Sequence, residues 1–138
     1  MKRFLGIDYG RKRTGIAESD PLGIFASPIQ TIPTHLVLKF ILEYESSKGI
    51  ESIVIGYPMN LDNTPSEGAQ YVENFLSQLK KRVPQIPIIL EDERFTSKMA
   101  FQSLIDSGVK KSQRREKGAV DRVSAAIILQ TYLDNRAK

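Results

Sequence analysis

Short runs of apolar residues alternate along the chain with turn-forming segments and predict five β-strands. The predicted strands cover residues 4–7, 14–19, 24–32, 53–55 and 86–90. The first three are joined by short connections, so residues 10–13 are expected to form a hairpin turn. Pro28 lacks the backbone N–H that an inner strand must donate, which places the third strand at an edge of the sheet.

Apolar residues spaced three and four apart predict four helices. The predicted helices cover residues 34–48, 64–83, 96–108 and 118–135. The second is expected to begin at a capping box, because Thr64 is followed directly by Pro65 and three residues later by Glu67. Gly49 suits the left-handed position that often follows a helix, and it is expected to end the first one.

The order of these elements predicts an α/β fold with one mixed sheet. Three consecutive strands favour antiparallel pairing, and the later alternation of strand and helix favours parallel pairing. We expect a five-stranded sheet flanked by helices, in one domain that spans residues 1–138. The 41% hydrophobic and 26% charged residues are ordinary for a globular protein, which excludes disorder of the whole chain. Ligands of such sheets bind at the carboxyl ends of the parallel strands.

Several classes of protein are excluded by what the sequence lacks. It has no cysteine, which excludes disulfides, zinc sites built on thiolates and cysteine nucleophiles. No apolar run approaches the roughly 18 residues of a membrane span. The apolar stretch at the N-terminus stops at Asp8 and has no small-residue cleavage site, so a signal peptide is not expected. We therefore expect a cytoplasmic protein.

Basic residues exceed acidic ones and gather in three clusters. Lys and Arg number 20 against 16 Asp and Glu, a formal net charge of +4. The clusters lie at residues 11–13, 80–82 and 110–117. A solvated helix end explains the cluster at 80–82 equally well, because cations there complement the helix dipole. The other two lie beside acidic candidates, where a polyanion needs positive charge, and they favour nucleic acid as a partner.

Two acidic residues follow buried strands at the expected ligand-binding edge. Asp8 ends the first strand, and Glu93 comes just after the fifth. A carboxylate there is costly unless it is paired, hydrogen-bonded or bound to a metal. Capping of a turn is the simpler role for Asp8, and an ion pair of Asp92 or Glu93 with Arg94 is the simpler role after the fifth strand. The sequence also leaves open whether Glu91 or Asp92 takes the place of Glu93.

A third acidic residue heads the inner face of the last predicted helix. At 3.6 residues per turn this face contains Asp121, Ala125, Ile128 and Tyr132. An acid at the head of an apolar face points into the protein rather than into water. The alternative is an interaction with the helix dipole, worth about 0.3–1 kcal/mol, which a residue on the polar face would make without desolvation. The placement of Asp121 therefore favours a site.

Asp8, Glu93 and Asp121 are expected to converge and to need a counter-charge, because three adjacent carboxylates cannot all stay ionised. A pair of Mg²⁺ ions about 3.5–4 Å apart would supply it and would support hydrolysis of a phosphodiester by in-line displacement. Mg²⁺ keeps part of its hydration shell, so few protein ligands suffice, and Mn²⁺ is the alternative ion. The basic residues 11–13 would then neutralise flanking phosphates.

Four blocks of sequence carry a resemblance to a known family. In chain order they are Gly6-Ile7-Asp8-Tyr9-Gly10 with Lys12-Arg13 and Gly15-Ile16-Ala17, then Gly56-Tyr57-Pro58-Met59-Asn60, then Asp92-Glu93-Arg94, and finally Lys117, Asp121 and residues 125–133. Together they resemble the YqgF (RuvX) family of the RNase H-like superfamily, known as Holliday junction resolvases and as pre-16S rRNA nucleases. The match covers nearly the whole chain. The family usually has Gly after Asp62, where this chain has Asn63, which also tolerates left-handed backbone.

The resemblance implies an RNase H-like fold, a bacterial cytoplasmic location and a nuclease site at Asp8, Glu93 and Asp121 that uses Mg²⁺ or Mn²⁺. It also implies trimming of the 5′ end of the small-subunit rRNA precursor, with structured RNA as the expected partner and branched DNA as the alternative. The residues expected to contact nucleic acid are Arg11, Lys12, Arg13, Arg94, Lys110, Lys111, Arg114, Arg115 and Lys117.

Three other functions are compatible with these motifs. A Holliday junction resolvase would need a dimer with two sites, whereas no predicted helix has a second apolar stripe, so a monomer is expected. A phosphotransfer ATPase of the actin-like or sugar-kinase class would share Asp8, Gly10 and the glycine of residues 15–17, but it needs two such domains. A binding or ribosome-assembly module without catalysis would keep the same fold.

Overall fold

The computed structural model describes residues 1–94, 96–108 and 118–137, and it contains one five-stranded sheet with helices on both faces. The strands are β1 (Arg3–Tyr9), β2 (Arg13–Ser19), β3 (Ala26–Pro33), β4 (Ile50–Tyr57) and β5 (Ile88–Asp92). The described helices are α1 (Val37–Ser47), α2 (Ala69–Arg82), α3 (Thr96–Asp106) and α4 (Ala119–Arg136), and a short 3₁₀ turn (Thr34–Leu36) precedes α1. The predicted α/β class and five-stranded sheet are confirmed.

The sheet is mixed, with the strand order β3-β2-β1-β4-β5. The pairs β1–β2 and β2–β3 are antiparallel, whereas β1–β4 and β4–β5 are parallel. As predicted, the strand that contains Pro28 lies at an edge. The register on β3 shifts just after this proline, because Ala17 pairs with Pro28 while Ile16 pairs with Gln30, which leaves Ile29 without a partner in the register.

The two faces of the sheet bury separate apolar clusters, which follow the alternation of side chains along each strand. On one face Leu5, Ile7, Ile53 and Ile55 pack against α1 and α2. On the other face Phe4, Ala17 and Val54 pack against α4 through residues that include Ala125, Ile128 and Leu129. Asp8 continues the alternation of Phe4 and therefore lies on the α4 side of the sheet, with Tyr9 on the α1–α2 side.

The start of α2 is the clearest difference from the sequence prediction, since this helix begins at Ala69 and not in the capping box at Thr64. The Thr64 hydroxyl donates to Asp62 Oδ1 at 2.6 Å, and the Thr64 carbonyl accepts the backbone N–H of Asn60. These local turn contacts satisfy Thr64 outside the helix, as Asp and Thr side chains often do. Asn63 has a φ of 69°, so the left-handed turn expected at this position is present.

The end of α1 and the start of α4 agree with the sequence, whereas α1 begins at Val37, after a 3₁₀ turn, and not at residue 34 as predicted. Gly49 has a φ of 83°, and its N–H donates to the Tyr44 carbonyl after α1. Gly118 has a φ of 101° and directly precedes α4. The helix therefore begins at Ala119, one residue after its predicted start at residue 118. Within the described ranges, no helix combines the length and the apolar character needed to cross a membrane.

Candidate active site at the carboxyl ends of the parallel strands

The first two predicted acidic residues meet at the carboxyl ends of β1 and β5. Asp8 is the penultimate residue of β1, and Glu93 directly follows β5. The Glu93 N–H donates to the carbonyl of Tyr57, the last residue of the intervening strand β4, at 3.2 Å. The two carboxyl groups are in hydrogen-bonding contact with each other, and both side chains are largely shielded from solvent.

This contact crosses β4 because β4 has no side chain at that point. A Cβ atom built on Gly56 would lie 2.6 Å from Glu93 Oε2 and equally close to Ile128 Cδ1. Gly56 thus leaves a gap on the α4 side of the sheet. The Glu93 carboxyl occupies this gap and contacts Asp8 there. Any larger residue at this position would push the two carboxyl groups apart.

The environment of the pair favours a shared proton. Burial raises the pKa of Asp8 and that of Glu93, and the negative charge of Asp8 raises the pKa of Glu93 further. The hydrogen bond between them lowers the pKa of Asp8 and raises that of Glu93, so protonated Glu93 is the donor and ionised Asp8 the acceptor. Two groups arranged in this way hold one negative charge at neutral pH and attract a cation.

Asp121 lies beside this pair on the first turn of α4. Its charge raises the pKa of Asp8, and its side chain is one-quarter exposed. Arg13, at the start of β2, donates from Nε to Asp121 Oδ2 at 2.8 Å. The structure therefore brings all three predicted acidic residues to one edge, with two in direct contact and the third in an ion pair with Arg13.

Two glycines on β1 and β2 allow α4 to pack so close to the sheet that Asp121 lies at the site. A Cβ on Gly15 would overlap the backbone carbonyl of Asp121, and a Cβ on Gly6 would lie 2.6 Å from the carbonyl of Ala125. The helix backbone therefore rests directly on the strands β1 and β2. In the sequence Gly6 and Gly15 are recognisable only as parts of motifs, because their packing role depends on a helix more than 100 residues away.

The donor set suits a hard divalent cation in its chemistry, since Asp8, Glu93 and Asp121 offer only carboxylate oxygens. Across the described residues, however, no three His, Cys, Asp or Glu side chains are arranged so that they could together hold a metal ion. The Asp8–Glu93 pair is in contact, while Asp121 is turned to Arg13. Two close carboxyl groups are compatible with Mg²⁺, because this ion keeps several of its waters.

The neighbouring acids of β5 have other environments. Asp92 is exposed and forms an ion pair with Arg94 at 2.6 Å, which is the simpler pairing considered from the sequence. Glu91 lies within β5, one residue inside the strand end, and burial raises its pKa. Of these three acids, Glu93 is the one in contact with Asp8.

Arg94 holds the segment that follows β4, defined here as the β4 loop (residues 58–65). Its guanidinium donates to the Asn60 carbonyl at 3.2 Å and to Asn63 Oδ1 at 2.8 Å, in addition to Asp92. The loop is also closed by a bridge between Met59 and Pro65. Arg94 was predicted to contact nucleic acid, but in the structure its N–H groups donate to acceptors of the protein. In this arrangement Arg94 positions the β4 loop.

Replacing Arg94 with Lys is expected to loosen the β4 loop, because the single nitrogen of an ammonium group cannot replace the separate nitrogens that bond Asp92 and the loop. Amide hydrogen exchange of residues 58–65 should become faster, while exchange in β1 and β4 stays unchanged. Unaltered exchange in the loop would show that its own turn contacts hold it and that Arg94 does not.

Of the basic residues predicted to contact nucleic acid, those near the β1–β2 hairpin are described by the structure and those of the segment 110–117 are not. Arg11 and Lys12 lie in the β1–β2 hairpin and are exposed, while Arg13 is engaged by Asp121. The guanidinium carbon of Arg11 lies 4.3 Å from the ring centroid of Tyr71 on α2, a residue that is not among the candidates predicted from the sequence. Its position four residues before Phe75 of the apolar stripe was the available signal. The remaining candidates, Lys110, Lys111, Arg114, Arg115 and Lys117, lie outside the described residues.

Comparison with known proteins agrees with this architecture. Two relatives carry the name "Putative pre-16S rRNA nuclease": a protein of Phocaeicola vulgatus is 46% identical over 136 residues and one of Bacteroides thetaiotaomicron is 47% identical over 136 residues. Both alignments cover 99% of this chain and at least 98% of the relative. Matches of this length leave no part of the described fold outside the comparison.

Among solved structures, RuvC of T. thermophilus in complex with a Holliday junction substrate aligns with a TM-score of 0.61 over 99% of this chain and 96% of that chain. The two sequences are 15% identical, so the likeness identifies the fold as RNase H-like. The family model described as "RuvX: Holliday junction resolvase" matches residues 2–135. With this match and relatives above 45% identity, the chain belongs to the RuvX (YqgF) family.

Proposed function

We propose that this protein is a nuclease that hydrolyses phosphodiester bonds and processes the 5′ end of pre-16S rRNA in ribosome biogenesis. The observation that carries the proposal is the contact between the Asp8 and Glu93 carboxyl groups, with Asp121 beside them, at the carboxyl ends of the parallel strands. The substrate comes from the name of the relatives, which are similar over their full length. The compartment proposed for this activity is the cytoplasm.

Of the three predicted ligands, Asp8 and Glu93 are proposed to hold Mg²⁺, or Mn²⁺ in its place, with Asp121 beside them in its ion pair with Arg13. When bound, the ion would supply an activated water and stabilise the leaving oxygen. Asp8 and Glu93 supply the paired carboxyl groups, and Arg13 keeps Asp121 at the site. Arg13 also offsets part of the negative charge that would otherwise repel a phosphate.

The direct test is a cleavage assay with purified protein on a 5′-extended 16S rRNA precursor and on a four-way DNA junction. We expect cleavage of the precursor that requires Mg²⁺ or Mn²⁺ and is abolished by a chelator. An Asp8→Asn protein assayed in parallel excludes a contaminating nuclease. Absence of cleavage in either ion would favour the non-catalytic binding module over the nuclease.

Holliday junction resolution is the second candidate, because the family description names it and the RNase H-like fold is shared with RuvC. A resolvase must cut two strands symmetrically, which requires two sites in a dimer. In the described structure one face of α1, of α2 and of α4 is buried on the sheet, so we favour a monomer acting on RNA. A stable dimer with both Asp8 sites on one face would reverse this preference.

Binding of nucleic acid is expected to depend strongly on salt through the basic segment 110–117. The logarithm of the affinity should fall by roughly 0.7–0.9 per neutralised phosphate for each unit of log salt concentration. Replacing Lys110, Lys111, Arg114 and Arg115 with Ala should flatten this slope by several units and weaken binding to any sequence about equally.

A control for this experiment is the replacement of Lys80, Lys81 and Arg82 with Ala, with the change in slope compared per charge removed. These residues end α2, which runs from the carboxyl end of β4 back to the start of β5. They therefore lie at the amino ends of the parallel strands, away from the acidic site. The control should leave the salt slope nearly unchanged. An equal change in both proteins would indicate a general effect of net charge and would contradict a nucleic-acid contact in the segment 110–117.

A further inference from the structure

An exposed aromatic ring with an arginine over it lies at the same sheet edge as the carboxyl pair. The guanidinium carbon of Arg11 is 4.3 Å from the centroid of the Tyr71 ring, and Tyr71 is 38% exposed. Arg11 is itself exposed. Within the part of the chain that the structure describes, no acidic side chain lies within ion-pair distance of Arg11, so its positive charge is available to a ligand.

The fold fixes the position of this pair relative to Asp8. Tyr9 follows Asp8 on β1 and stacks on Phe75 of α2, with ring centroids 4.4 Å apart and planes 14° apart. Tyr71 lies one helical turn before Phe75, toward the start of α2. The start of α2 lies near the carboxyl ends of β1 and β4. Tyr71 and Asp8 therefore lie at the same end of these strands, with Tyr71 on the α1–α2 face of the sheet and Asp8 on the α4 face.

The hairpin that carries Arg11 is held by the 3₁₀ turn before α1. The Thr34 hydroxyl donates to the Gly10 carbonyl at 2.6 Å, and the Thr34 N–H donates to the Lys12 carbonyl at 2.9 Å. These two bonds fix the backbone on both sides of Arg11. The backbone position of Arg11 is therefore held, and the contact with the Tyr71 ring orients its guanidinium.

A second arginine–ring pair in the structure differs because its aromatic ring is buried. Arg136 lies over Phe4, with 4.7 Å between the guanidinium carbon and the ring centroid, near the amino end of β1. The Phe4 ring is only 8% exposed and is part of the apolar core. Arg136 thus covers a core residue. Arg11 and Tyr71 instead present a planar cation and an aromatic ring to solvent, at the same end of the parallel strands as the acidic site.

We propose that Arg11 and Tyr71 form a stacking platform for an unpaired nucleobase, so that the strand entering the acidic site is single-stranded. This inference rests on the proposed nuclease function and narrows its substrate class. Aromatic rings and guanidinium planes bind bases of single strands by stacking, which is unavailable to bases inside a duplex. Single-stranded RNA flanking a structured region fits this platform, whereas the paired arms of a junction do not.

The test compares binding of a short labelled RNA strand with binding of its blunt duplex, measured by fluorescence anisotropy. All proteins carry Asp8→Asn, which suppresses cleavage during the measurement. Tyr71→Leu is expected to weaken binding of the single strand by about tenfold, within the range of one lost stacking contact, and to change duplex binding less than about twofold. Tyr71→Phe keeps the ring and should restore single-strand binding.

Replacing Arg11 with Lys separates stacking from charge. Lys keeps the positive charge but lacks the planar guanidinium, so we expect the single-strand affinity to fall several-fold while the salt dependence stays the same. Arg136→Lys is the matched control at the other arginine–ring pair and should change neither affinity. Equal losses for single strand and duplex, or no loss with Tyr71→Leu, would overturn the platform.

Failure of this inference and failure of the nuclease proposal give different results. Loss of single-strand preference in the Tyr71→Leu protein supports the platform even if the unmodified protein cleaves nothing. Cleavage of rRNA precursor by the unmodified protein, together with unchanged binding in the Tyr71 and Arg11 variants, would support the nuclease and refute the platform.

Discussion

Replacement of Asp8 with Asn is expected to lower phosphodiester hydrolysis by about a hundredfold or more without unfolding the protein. Asp8 is the ionised partner of Glu93 and lies next to Asp121, so its loss removes charge from the centre of the site. Losses of this size follow from removing one group that stabilises charge in a transition state. The measurement is the initial cleavage rate of a 5′-extended 16S rRNA precursor at saturating Mg²⁺.

The same substitution is expected to stabilise the metal-free protein by about 1–2 kcal/mol at neutral pH, since one pKa unit corresponds to about 1.4 kcal/mol. Burial raises the pKa of Asp8, which means that the ionised form costs free energy in the folded state. An amide of the same shape avoids this cost and the repulsion by Asp121. Denaturant unfolding in the presence of a chelator measures the difference.

Asp134→Asn is the matched control, because Asp134 is an exposed residue of α4 that accepts a bond from Gln130 far from the site. It removes the same charge and should change neither hydrolysis nor stability appreciably. Equal hydrolysis by the Asp8→Asn protein and the unmodified protein would place the activity elsewhere. A destabilised Asp8→Asn protein would instead indicate that the carboxylate is needed for folding.

The substitution Gly15→Ala is expected to destabilise the protein by about 2–3 kcal/mol and to reduce hydrolysis about a hundredfold. A Cβ on Gly15 would overlap the backbone carbonyl of Asp121, so α4 must move away from β2. Inserting a methyl group into a closely packed contact has a cost of this order. The movement also shifts Asp121, and displacement of a reacting group by about 1 Å is sufficient for a hundredfold loss.

Thermal or denaturant unfolding and the cleavage assay together test this expectation. Gly68→Ala is the control, because Gly68 precedes α2 with a φ of −64° and a Cβ there would meet its nearest neighbour at 3.5 Å. The control should be neutral or slightly stabilising, as Ala reduces the freedom of the unfolded chain. If Gly15→Ala were as stable and active as Gly68→Ala, the close approach of α4 would have no part in forming the site.

Local patterns in the sequence were sufficient to predict the strands, the mixed sheet and its edge. The proline at position 28, the three consecutive strands and the later alternation of strand and helix each limit the possible pairings. The inward face of α4 was also predictable, because Ala125 and Ile128 recur at helical spacing after Asp121 and are buried as expected. The capping box at Thr64 was misleading, since Asp62 and Asn60 offered the same residue a better turn.

The three acidic residues were identifiable from strand ends and helix periodicity, together with the family resemblance. Their arrangement was not, because it depends on contacts between residues far apart in the chain. Gly56 opens the gap through which Glu93 reaches Asp8, and Arg13 pairs with Asp121 across 108 positions of sequence. A glycine or an arginine in a sequence does not indicate which distant group it will meet. The sequence by itself thus determined which residues lie at the functional edge. Only the tertiary structure, through the gap at Gly56 in β4 and the packing of α4 on β1 and β2, decided which of them touch.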